Sequence, residues 1–253
     1  MIYRILHKIG CLYHTYRKRS LEKDAKSYLD RYNLMKPLNE IRERSNSTGV
    51  SLMDYACLYD FVKENRPRYF LECGTGVSTH IIARAMKSYC YDHYSSNIKL
   101  VSMESDERWY QEAIKLYPEE FSDFLEIVLS PIDYHQYSFV RGTVYRDVPD
   151  YPYDSLFIDG PDTQGMCNMD FVKLVESSES PIYGIIDGRR RTALAYSYLF
   201  GGKKIVYYRF GFSYLGPFSK RDLLSKINLM DIFRRNIKVY GGAPFKKINQ
   251  AKA

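Results

Sequence analysis

Paired cysteines and long apolar runs are missing from this sequence, and its first residues do not have the pattern expected of a cleavable leader. The five cysteines are an odd number and none is spaced as Cys-x-x-Cys, which argues against a disulfide framework or a structural zinc site. No apolar run approaches the roughly 20 residues that a membrane-spanning helix needs. Arg4, His7 and Lys8 interrupt the apolar start, so we expect no signal peptide. These absences predict a protein of a reducing, cytoplasmic compartment.

Acidic residues are outnumbered, and the formal net charge is +7. The basic residues cluster towards the two ends, as in Arg17-Lys18-Arg19 and Lys246-Lys247. Such clusters are commonly solvated surface, but they also suit a membrane surface or an acidic glycan. No recognisable nucleic-acid module accompanies the charge, so we expect no specific nucleic-acid partner.

Three parts follow one another along the chain: residues 1–66, 67–218 and 219–253. Apolar residues at helical spacing predict a helix from residue 3 to about residue 35, either unbroken or in two pieces, and a further helix from Ser51 to about Asn65. The basic amphipathic start can lie on a membrane or pack on its own domain. For the last part we expect a helix over residues 221–232 and a loose basic tail from Gly241.

The central part alternates strands and helices, which predicts an α/β fold with helices on both faces of a mostly parallel sheet. This is a Rossmann-like, doubly wound sheet of seven strands that ends in an antiparallel hairpin and carries extra N-terminal helices. We expect a long loop over residues 131–152. The predicted strands cover residues 69–71, 98–103, 124–129, 155–158, 182–186, 205–208 and 212–215.

Acidic residues end four of these strands, at the edge where open α/β sheets bind ligands. They are Glu72, Glu104, Asp159 and Asp187. After Glu72 comes a turn with two glycines, which lets a ligand approach the backbone closely. Ser78 or Thr79 is expected to cap the helix that follows.

These residues resemble the class I S-adenosylmethionine-dependent methyltransferases, over roughly residues 67–216. The likeness rests on Glu-Cys-Gly-Thr-Gly-Val-Ser-Thr, Val-Ser-Met-Glu and Phe-Ile-Asp-Gly-Pro-Asp. It implies that S-adenosylmethionine is the cofactor, with Glu104 on the ribose, Asp133 nearest the adenine and Asp159 facing both cofactor and acceptor. The residues implied to hold the cofactor in the turn and in the helix start are Glu72, Gly74, Thr75, Gly76, Ser78 and Thr79.

The sequence departs from that family at the third glycine of the turn, where Ser78 stands. Thr79 likewise departs from the nicotinamide-binding Gly-x-Gly-x-x-Gly pattern. The motif Asn/Asp-Pro-Pro-Tyr/Phe does not occur, so methylation of a base or amide nitrogen is not implied.

Acceptor chemistry points to Asp159 and Asp187 as bases, because a hydroxyl acceptor must lose its proton. Arg189, in the run Asp-Gly-Arg-Arg-Arg, can clamp a carboxylate, phosphate or sulfate of an anionic acceptor. Asp159 and Asp187 also occupy the positions of the metal-binding aspartates in catechol-type methyltransferases. That family continues with asparagine where this chain has Gly188, so a Mg²⁺ site is the less favoured alternative. Asp187 serves equally well as a helix cap.

The leading hypothesis is an O-methyltransferase that uses S-adenosylmethionine and modifies a hydroxyl on a sugar, a glycan or another small polar acceptor. One alternative is an NAD-dependent oxidoreductase on a similar sheet. Another is a non-catalytic interaction module of the same fold, attached to a membrane through the N-terminal basic helix.

Overall fold

The computed structural model describes residues 2–46, 51–90, 98–161, 165–201, 204–208, 212–224 and 238–240. Its helices are α1 (Ile2–Arg31), α2 (Met35–Arg44), α3 (Leu52–Asn65), α4 (Val77–Cys90), α5 (Glu107–Leu116), α6 (Asp170–Ser177) and α7 (Arg190–Phe200). Its strands are β1 (Tyr69–Cys73), β2 (Lys99–Glu104), β3 (Leu125–Leu129), β4 (Ile132–Tyr137), β5 (Val140–Tyr145), β6 (Ser155–Ile158), β7 (Cys167–Asn168), β8 (Ile182–Ile186), β9 (Ile205–Tyr208), β10 (Ser213–Phe218) and β11 (Lys238–Tyr240).

All seven predicted strands join one sheet, in the order β9-β10-β8-β6-β1-β2-β3. Strand β10 runs antiparallel to both of its neighbours, and the other pairs are parallel. The predicted fold, a Rossmann-like and mostly parallel sheet with a C-terminal antiparallel hairpin, is therefore confirmed. The short strand β11 adds an eighth member beside β9 and was not predicted.

The centre of the sheet explains where a ligand site can form. Strand β1 pairs in parallel with β2 on one side and with β6 on the other, so that Glu72 lies opposite both Ser102 and Phe157. The chain order reverses at this point, and open α/β sheets bind ligands in the crevice beyond such carboxyl ends. Glu72 and Glu104 accordingly lie at the same edge.

The predicted loop over residues 131–152 is wrong over residues 132–145. Strands β4 and β5 form an antiparallel hairpin there, and β7 pairs with β5 to make a second, three-stranded sheet. The turn pairs Tyr137 with Val140 and uses Ser138 at a φ of 55°. Because this turn contains neither glycine nor asparagine, the usual sequence signal for a tight hairpin is missing.

The N-terminal helices share one core with a face of the sheet. Leu29 of α1, Leu38 of α2 and Ala56 of α3 are fully buried in a cluster that also holds Ile82 of α4 and Phe157 of β6. The opposite face is covered by α6, α7 and the small sheet, which form a second cluster. The three-part division of the chain stays a prediction, but the first part packs directly on the second.

Helix α1 is unbroken through residue 31, and α2 is an element that the sequence analysis did not identify. Pro37 lies in the first turn of α2, where a missing backbone N–H costs nothing. The helix predicted from Ser51 to about Asn65 is confirmed as α3, and Ser51 caps it: Ser51 and Asp54 bond reciprocally to each other's backbone N–H groups. None of the helices in the described ranges has the length and apolar character needed to cross a bilayer.

The expected helix over residues 221–232 has only its beginning within the described part of the chain. Residues Lys220–Asp222 form a single 3-10 turn. Residues 225–237 and the basic tail from Gly241 lie outside the described residues.

Candidate functional site

A cavity of about 470 Å³ opens at the carboxyl end of the sheet, above β1, β2 and β6. It is bounded by the turn after β1, the start and inner face of α5, the end of β6, and one residue each from α2's C-terminal end and from β5. The residues that line it are Ser45, Gly74, Thr75, Gly76, Glu104, Ser105, Asp106, Trp109, Glu112, Ala113, Leu116, Tyr117, Tyr145, Asp159, Gly160 and Pro161. The predicted turn, the predicted ribose acid and the predicted base Asp159 therefore share one cavity.

The floor of the cavity is backbone pressed against backbone. Gly74 has a φ of 102°, and a Cβ added there would lie 2.8 Å from the amide nitrogen of Gly160. A Cβ added at Gly160 would lie 2.7 Å from the Cα of Gly74. Both positions therefore require glycine, and their close approach leaves the space above them for a ligand.

Glu72 supports this floor from below. Its carboxylate is fully buried and accepts hydrogen bonds from Ser78 Oγ at 2.7 Å, Thr79 Oγ1 at 2.5 Å and Ser102 Oγ at 2.7 Å. Burial raises the pKa of Glu72 to about 7, and the three hydroxyl bonds only partly offset that rise. Glu72, Ser78 and Thr79 were predicted to contact a cofactor, but the structure places them beneath the turn and outside the cavity lining.

Glu104 presents a carboxylate oxygen to a ligand. Its side chain is 8% exposed, and Oε1 accepts hydrogen bonds from the backbone N–H of Ser105 at 2.6 Å and of Asp106 at 2.9 Å. These bonds fix the orientation of the carboxylate. Oε2 has no such partner among the described residues, so its lone pairs can receive hydrogen bonds from a bound molecule.

Helix α5 supplies an apolar wall. Asp106 caps it by accepting a hydrogen bond from the Arg108 N–H at 2.8 Å, and Trp109 and Ala113 lie along the cavity one turn apart. Tyr117, just after the helix, donates its hydroxyl hydrogen bond to the carbonyl of Gly76. Trp109 and Ala113 belong to no motif of the sequence that indicated a ligand site.

The N-terminal part closes the outer side of the cavity through Glu112 of α5. Glu112 Oε1 accepts hydrogen bonds from the Asn46 N–H at 2.8 Å and from Ser45 Oγ at 3.3 Å, while Oε2 accepts from Asn46 Nδ2 at 3.0 Å. These bonds lower the pKa of Glu112, although its slight burial acts in the opposite direction. Ser45 thereby becomes part of the lining, which no sequence motif indicated.

The charged side chains that line the described cavity are all acidic: Glu104, Asp106, Glu112 and Asp159. No lysine or arginine of the described residues lines it. A cleft with charge of one sign concentrates ligands of the opposite sign. The electrostatics therefore favour a cationic or neutral ligand over a phosphate-bearing one.

Asp159 and Asp187 are brought together, as predicted, but only Asp159 lines the cavity. Burial, followed by the charge of the nearby Asp187, raises the pKa of Asp159 well above its usual range. Burial also raises the pKa of Asp187. Two close carboxyl groups cannot both ionise easily, so the pair holds a proton that a lone aspartate would lose.

Arg189 is used differently from the predicted anion clamp. Its Nη1 donates to the carbonyl oxygen of Pro161 at 3.1 Å and its Nη2 donates to that of Asp159, with the Asp159 carboxylate 3.8 Å away. The guanidinium therefore holds the segment that forms one end of the cavity. It is not among the lining residues, so its role towards an acceptor stays a prediction.

Asp133, the predicted adenine contact, lies on β4 of the hairpin. Its side chain is 54% exposed, pairs with Arg146 Nε at 3.8 Å and is not among the cavity residues. The hairpin contributes Tyr145 to the cavity instead. Nothing in the structure places Asp133 near the site, and its role also stays a prediction.

The described residues around the cavity offer few ligands for a metal ion. Within the described ranges, histidine, cysteine, aspartate and glutamate form no group of three or more with the spacing of a metal site. Asp159 and Asp187 supply two neighbouring carboxyl groups. The described residues thus offer two of the six or so oxygen ligands that Mg²⁺ takes.

Comparisons with solved structures find O-methyltransferases and other methyltransferases at low identity. An O-methyltransferase from Bacillus cereus, solved in complex with SAH, is 18% identical, with 67% of this chain and 78% of that chain covered and a TM-score of 0.45. A methyltransferase from Geobacter sulfurreducens is 13% identical, with 77% and 88% covered and a TM-score of 0.44. The O-methyltransferase TomG from Streptomyces achromogenes, involved in tomaymycin synthesis and solved with SAM, is 15% identical, with 72% and 70% covered and a TM-score of 0.39.

No protein-family model and no curated protein matches the chain. The likenesses concern the fold, and the fold class itself follows from the strand order and directions of the sheet. Whatever the site does must be argued from its own residues.

Proposed function

We propose that this chain is an S-adenosylmethionine-dependent methyltransferase that acts on a hydroxyl group of a sugar, a glycan or another small polar acceptor. One observation carries the proposal. The glycine turn after β1 and the carboxylate of Glu104 line the same cavity, and the charged residues of its described lining are all acidic. S-adenosylmethionine carries a sulfonium and an ammonium group and no phosphate, so it suits that lining.

The cofactor's parts match the residues in hand. Glu104 Oε2 is available for the hydroxyls of a ribose, because the bonds from Ser105 and Asp106 go to Oε1. The apolar face of α5, with Trp109, suits a flat base. The backbone of Gly74 to Gly76 forms the floor between these groups and Asp159.

An NAD-dependent reaction fits this cavity less well. A dinucleotide places its pyrophosphate at a helix N-terminus, where free N–H groups and positive charge favour it. Here Glu72 lies against the N-terminal turn of α4 and takes the hydroxyl bonds of Ser78 and Thr79. The acidic lining of the cavity would repel the pyrophosphate further.

The chemistry needs alignment and a proton acceptor. The cofactor, when bound, would supply an electrophilic methyl group: the acceptor oxygen attacks the methyl carbon in line, and the carbon–sulfur bond breaks to release S-adenosylhomocysteine. The protein's share is to hold the acceptor hydroxyl on that line and to take its proton. Asp159 is the base at the cavity, and Asp187 behind it shares the charge.

The acceptor proposal rests on the outer part of the cavity. Ser45, Glu112 and Asp159 present hydroxyl and carboxylate groups there, which bind the hydroxyls of a polyol well. An anionic acceptor, suggested by the arginine run of the sequence, would meet Asp159 and Glu112 before it met Arg189. The cavity therefore favours a neutral sugar or sugar-like molecule as the acceptor.

The test begins with binding and ends with transfer. Titration calorimetry with S-adenosylhomocysteine and, separately, NAD⁺ should show saturable binding of the first alone. Methyl transfer from labelled S-adenosylmethionine is then measured on a panel of neutral sugars, sugar phosphates and catechols, with and without a chelator. NAD⁺ binding without S-adenosylhomocysteine binding would overturn the proposal. Methyl transfer only to catechols, and only with Mg²⁺ present, would overturn both the sugar-like acceptor and the role of Asp159 as a base that works without a metal.

A further inference from the structure

The hydroxyl of Tyr145 is the only tyrosine hydroxyl of the described cavity lining that lacks a hydrogen-bond partner. The cavity is lined by one other tyrosine, Tyr117, whose hydroxyl bonds to Gly76. Tyr145 has no exposed surface, and its Oη finds no partner among the described residues. Buried polar groups without partners are rare in folded proteins and often mark a position that a ligand completes.

The position of Tyr145 is set by its backbone and by its packing. Its N–H donates to Asp170 Oδ1 at 2.9 Å, and Asp170 Oδ2 accepts from Asn168 Nδ2 at 2.6 Å. Asn168 Nδ2 also donates to the carbonyl of Gly160 at 3.0 Å, so this network ties the Tyr145 backbone to the cavity floor. The ring is fully buried in the core cluster on this face of the sheet, so the hydroxyl cannot turn away into solvent.

The hydroxyl lies on the β6 side of the glycine turn. A Cβ added at Gly160, at the end of β6, would lie 2.9 Å from Tyr145 Oη. Glu104 ends β2, on the other side of β1. A ligand whose ribose meets Glu104 and which crosses the Gly74 turn therefore brings its opposite end to Gly160 and Tyr145.

From this geometry we infer that Tyr145 is a cofactor-binding residue that hydrogen-bonds the amino-acid end of S-adenosylmethionine. The inference rests on the proposed function, because it takes the cofactor's orientation from Glu104. A neutral phenol can donate to the ligand's carboxylate or accept from its ammonium group. Burial raises the pKa of Tyr145 well above its usual range, so the hydroxyl keeps its proton over the whole working pH range.

The experiment compares two ligands on three proteins. S-adenosylhomocysteine carries the amino-acid end, whereas 5′-methylthioadenosine keeps the adenosyl group and lacks that end. Calorimetry is run on the wild type, on Tyr145→Phe and on Tyr153→Phe. Tyr153 is a matched control, since it is buried outside the cavity and its hydroxyl donates to Pro149 O at 2.9 Å.

We expect Tyr145→Phe to weaken S-adenosylhomocysteine binding by about tenfold or more, the range for a hydrogen bond to a charged group. Its affinity for 5′-methylthioadenosine should be unchanged. Without ligand it should melt at the wild-type temperature, because no protein hydrogen bond is removed, whereas Tyr153→Phe should melt lower and keep both affinities.

Two results would overturn the inference while leaving the proposed function intact. They are an unchanged affinity of Tyr145→Phe for S-adenosylhomocysteine, and an equal loss for both ligands, which would place the hydroxyl at the adenosyl half. Failure of the wild type to bind either ligand would instead remove the proposed function and the inference with it.

Discussion

Thr79 Oγ1 lies 2.5 Å from Glu72 Oε2, and the carboxylate that receives this bond has no exposed surface. Two further hydroxyls, from Ser78 and Ser102, complete its shell. The three donors do not cancel the cost of burying the charge, which is why the pKa of Glu72 rises to about 7. The carboxyl group that lies beneath the cavity floor therefore has a pKa near neutrality.

The raised pKa of Glu72 makes the stability of the protein depend on pH. Between about pH 4.5 and 7 the folded chain keeps the Glu72 proton while the unfolded chain has lost it, so this group lowers stability as the pH rises through that window. The variant Glu72→Gln has no carboxyl group to titrate at this position. Its free energy of unfolding, relative to that of the wild type, should therefore rise by about 3 kcal/mol from the bottom to the top of this pH window. Urea unfolding at a series of pH values measures the difference.

Other buried carboxyl groups titrate in the same range, among them Asp54, Asp60 and Asp170. The comparison must therefore be between variant and wild type at each pH. A constant difference across the window would show that Glu72 is ionised at all these pH values, and that its environment is more polar than the buried shell indicates.

Glu104 gives the most direct test of the cofactor's position. Glu104→Gln keeps the size of the side chain and its Oε1 acceptor, but loses the charge and replaces the available oxygen by an NH₂ group. We expect S-adenosylhomocysteine to bind about ten- to a hundredfold more weakly, the range for losing hydrogen bonds to a charged acceptor. Calorimetry measures the affinity, with the melting temperature recorded to confirm folding.

Glu107→Gln is the control for Glu104. Glu107 lies three residues further on at the exposed start of α5, where its carboxylate bonds to Gln111 at 2.8 Å and does not line the cavity. Its replacement removes the same charge from the same region and should leave the affinity unchanged. If both variants lose affinity equally, the effect is a general electrostatic one and the ribose is not held by Glu104.

The backbone of the site was predictable because strand order and strand ends follow from local patterns. Glu104 and Asp159 each end a strand, and parallel neighbours bring such ends to one edge. Hydroxyl directions do not follow from these patterns. Ser78 and Thr79 look like ligand contacts in sequence, yet the buried Glu72 carboxylate requires their hydrogen bonds more than a solvated cavity does.

The walls of the site were not predictable, because they come from segments far along the chain. Ser45 reaches the cavity because Asn46 and Ser45 bond to Glu112, a contact across more than 60 residues that no local pattern encodes. Tyr145 reaches it through a hairpin whose turn lacks glycine.

The carboxyl pair predicts how activity depends on pH. Activity should rise with pH as the pair loses its proton, and the charge of Asp187 holds that step at high pH by raising the pKa of Asp159. Burial is the larger cause of that raised pKa and remains in the variant, so Asp187→Asn should shift this acidic limb only partly towards lower pH, while Asp159→Asn removes the base and should lower kcat by about a hundredfold or more. The measurement is kcat against pH on an acceptor from the transfer panel.

The control for the Asp159 and Asp187 variants is Asp147→Asn. The carboxyl group of Asp147 is exposed and lies outside the cavity. Affinity for S-adenosylhomocysteine should hold in all three variants, since the pair is assigned to the acceptor's proton. An equal loss of affinity and kcat in Asp159→Asn would instead indicate that this residue positions the cofactor.

The glycine floor can be tested by alanine substitutions at two glycines. Both have a positive φ, but they differ in the room available for an added Cβ. Gly188 has a φ of 47° and nothing within 4 Å of an added Cβ, so Gly188→Ala should cost about 1 kcal/mol of unfolding free energy, from backbone strain alone. Gly74 has a φ of 102°, and its Cβ would also lie 2.8 Å from the Gly160 nitrogen, which is backbone and cannot swing aside. Gly74→Ala should therefore cost about 3 kcal/mol or more, and it should weaken S-adenosylhomocysteine binding because the turn must move into the cavity. Urea unfolding and calorimetry measure the two effects, and equal costs for the two variants would mean that the approach of Gly74 to Gly160 is loose enough to admit a methyl group.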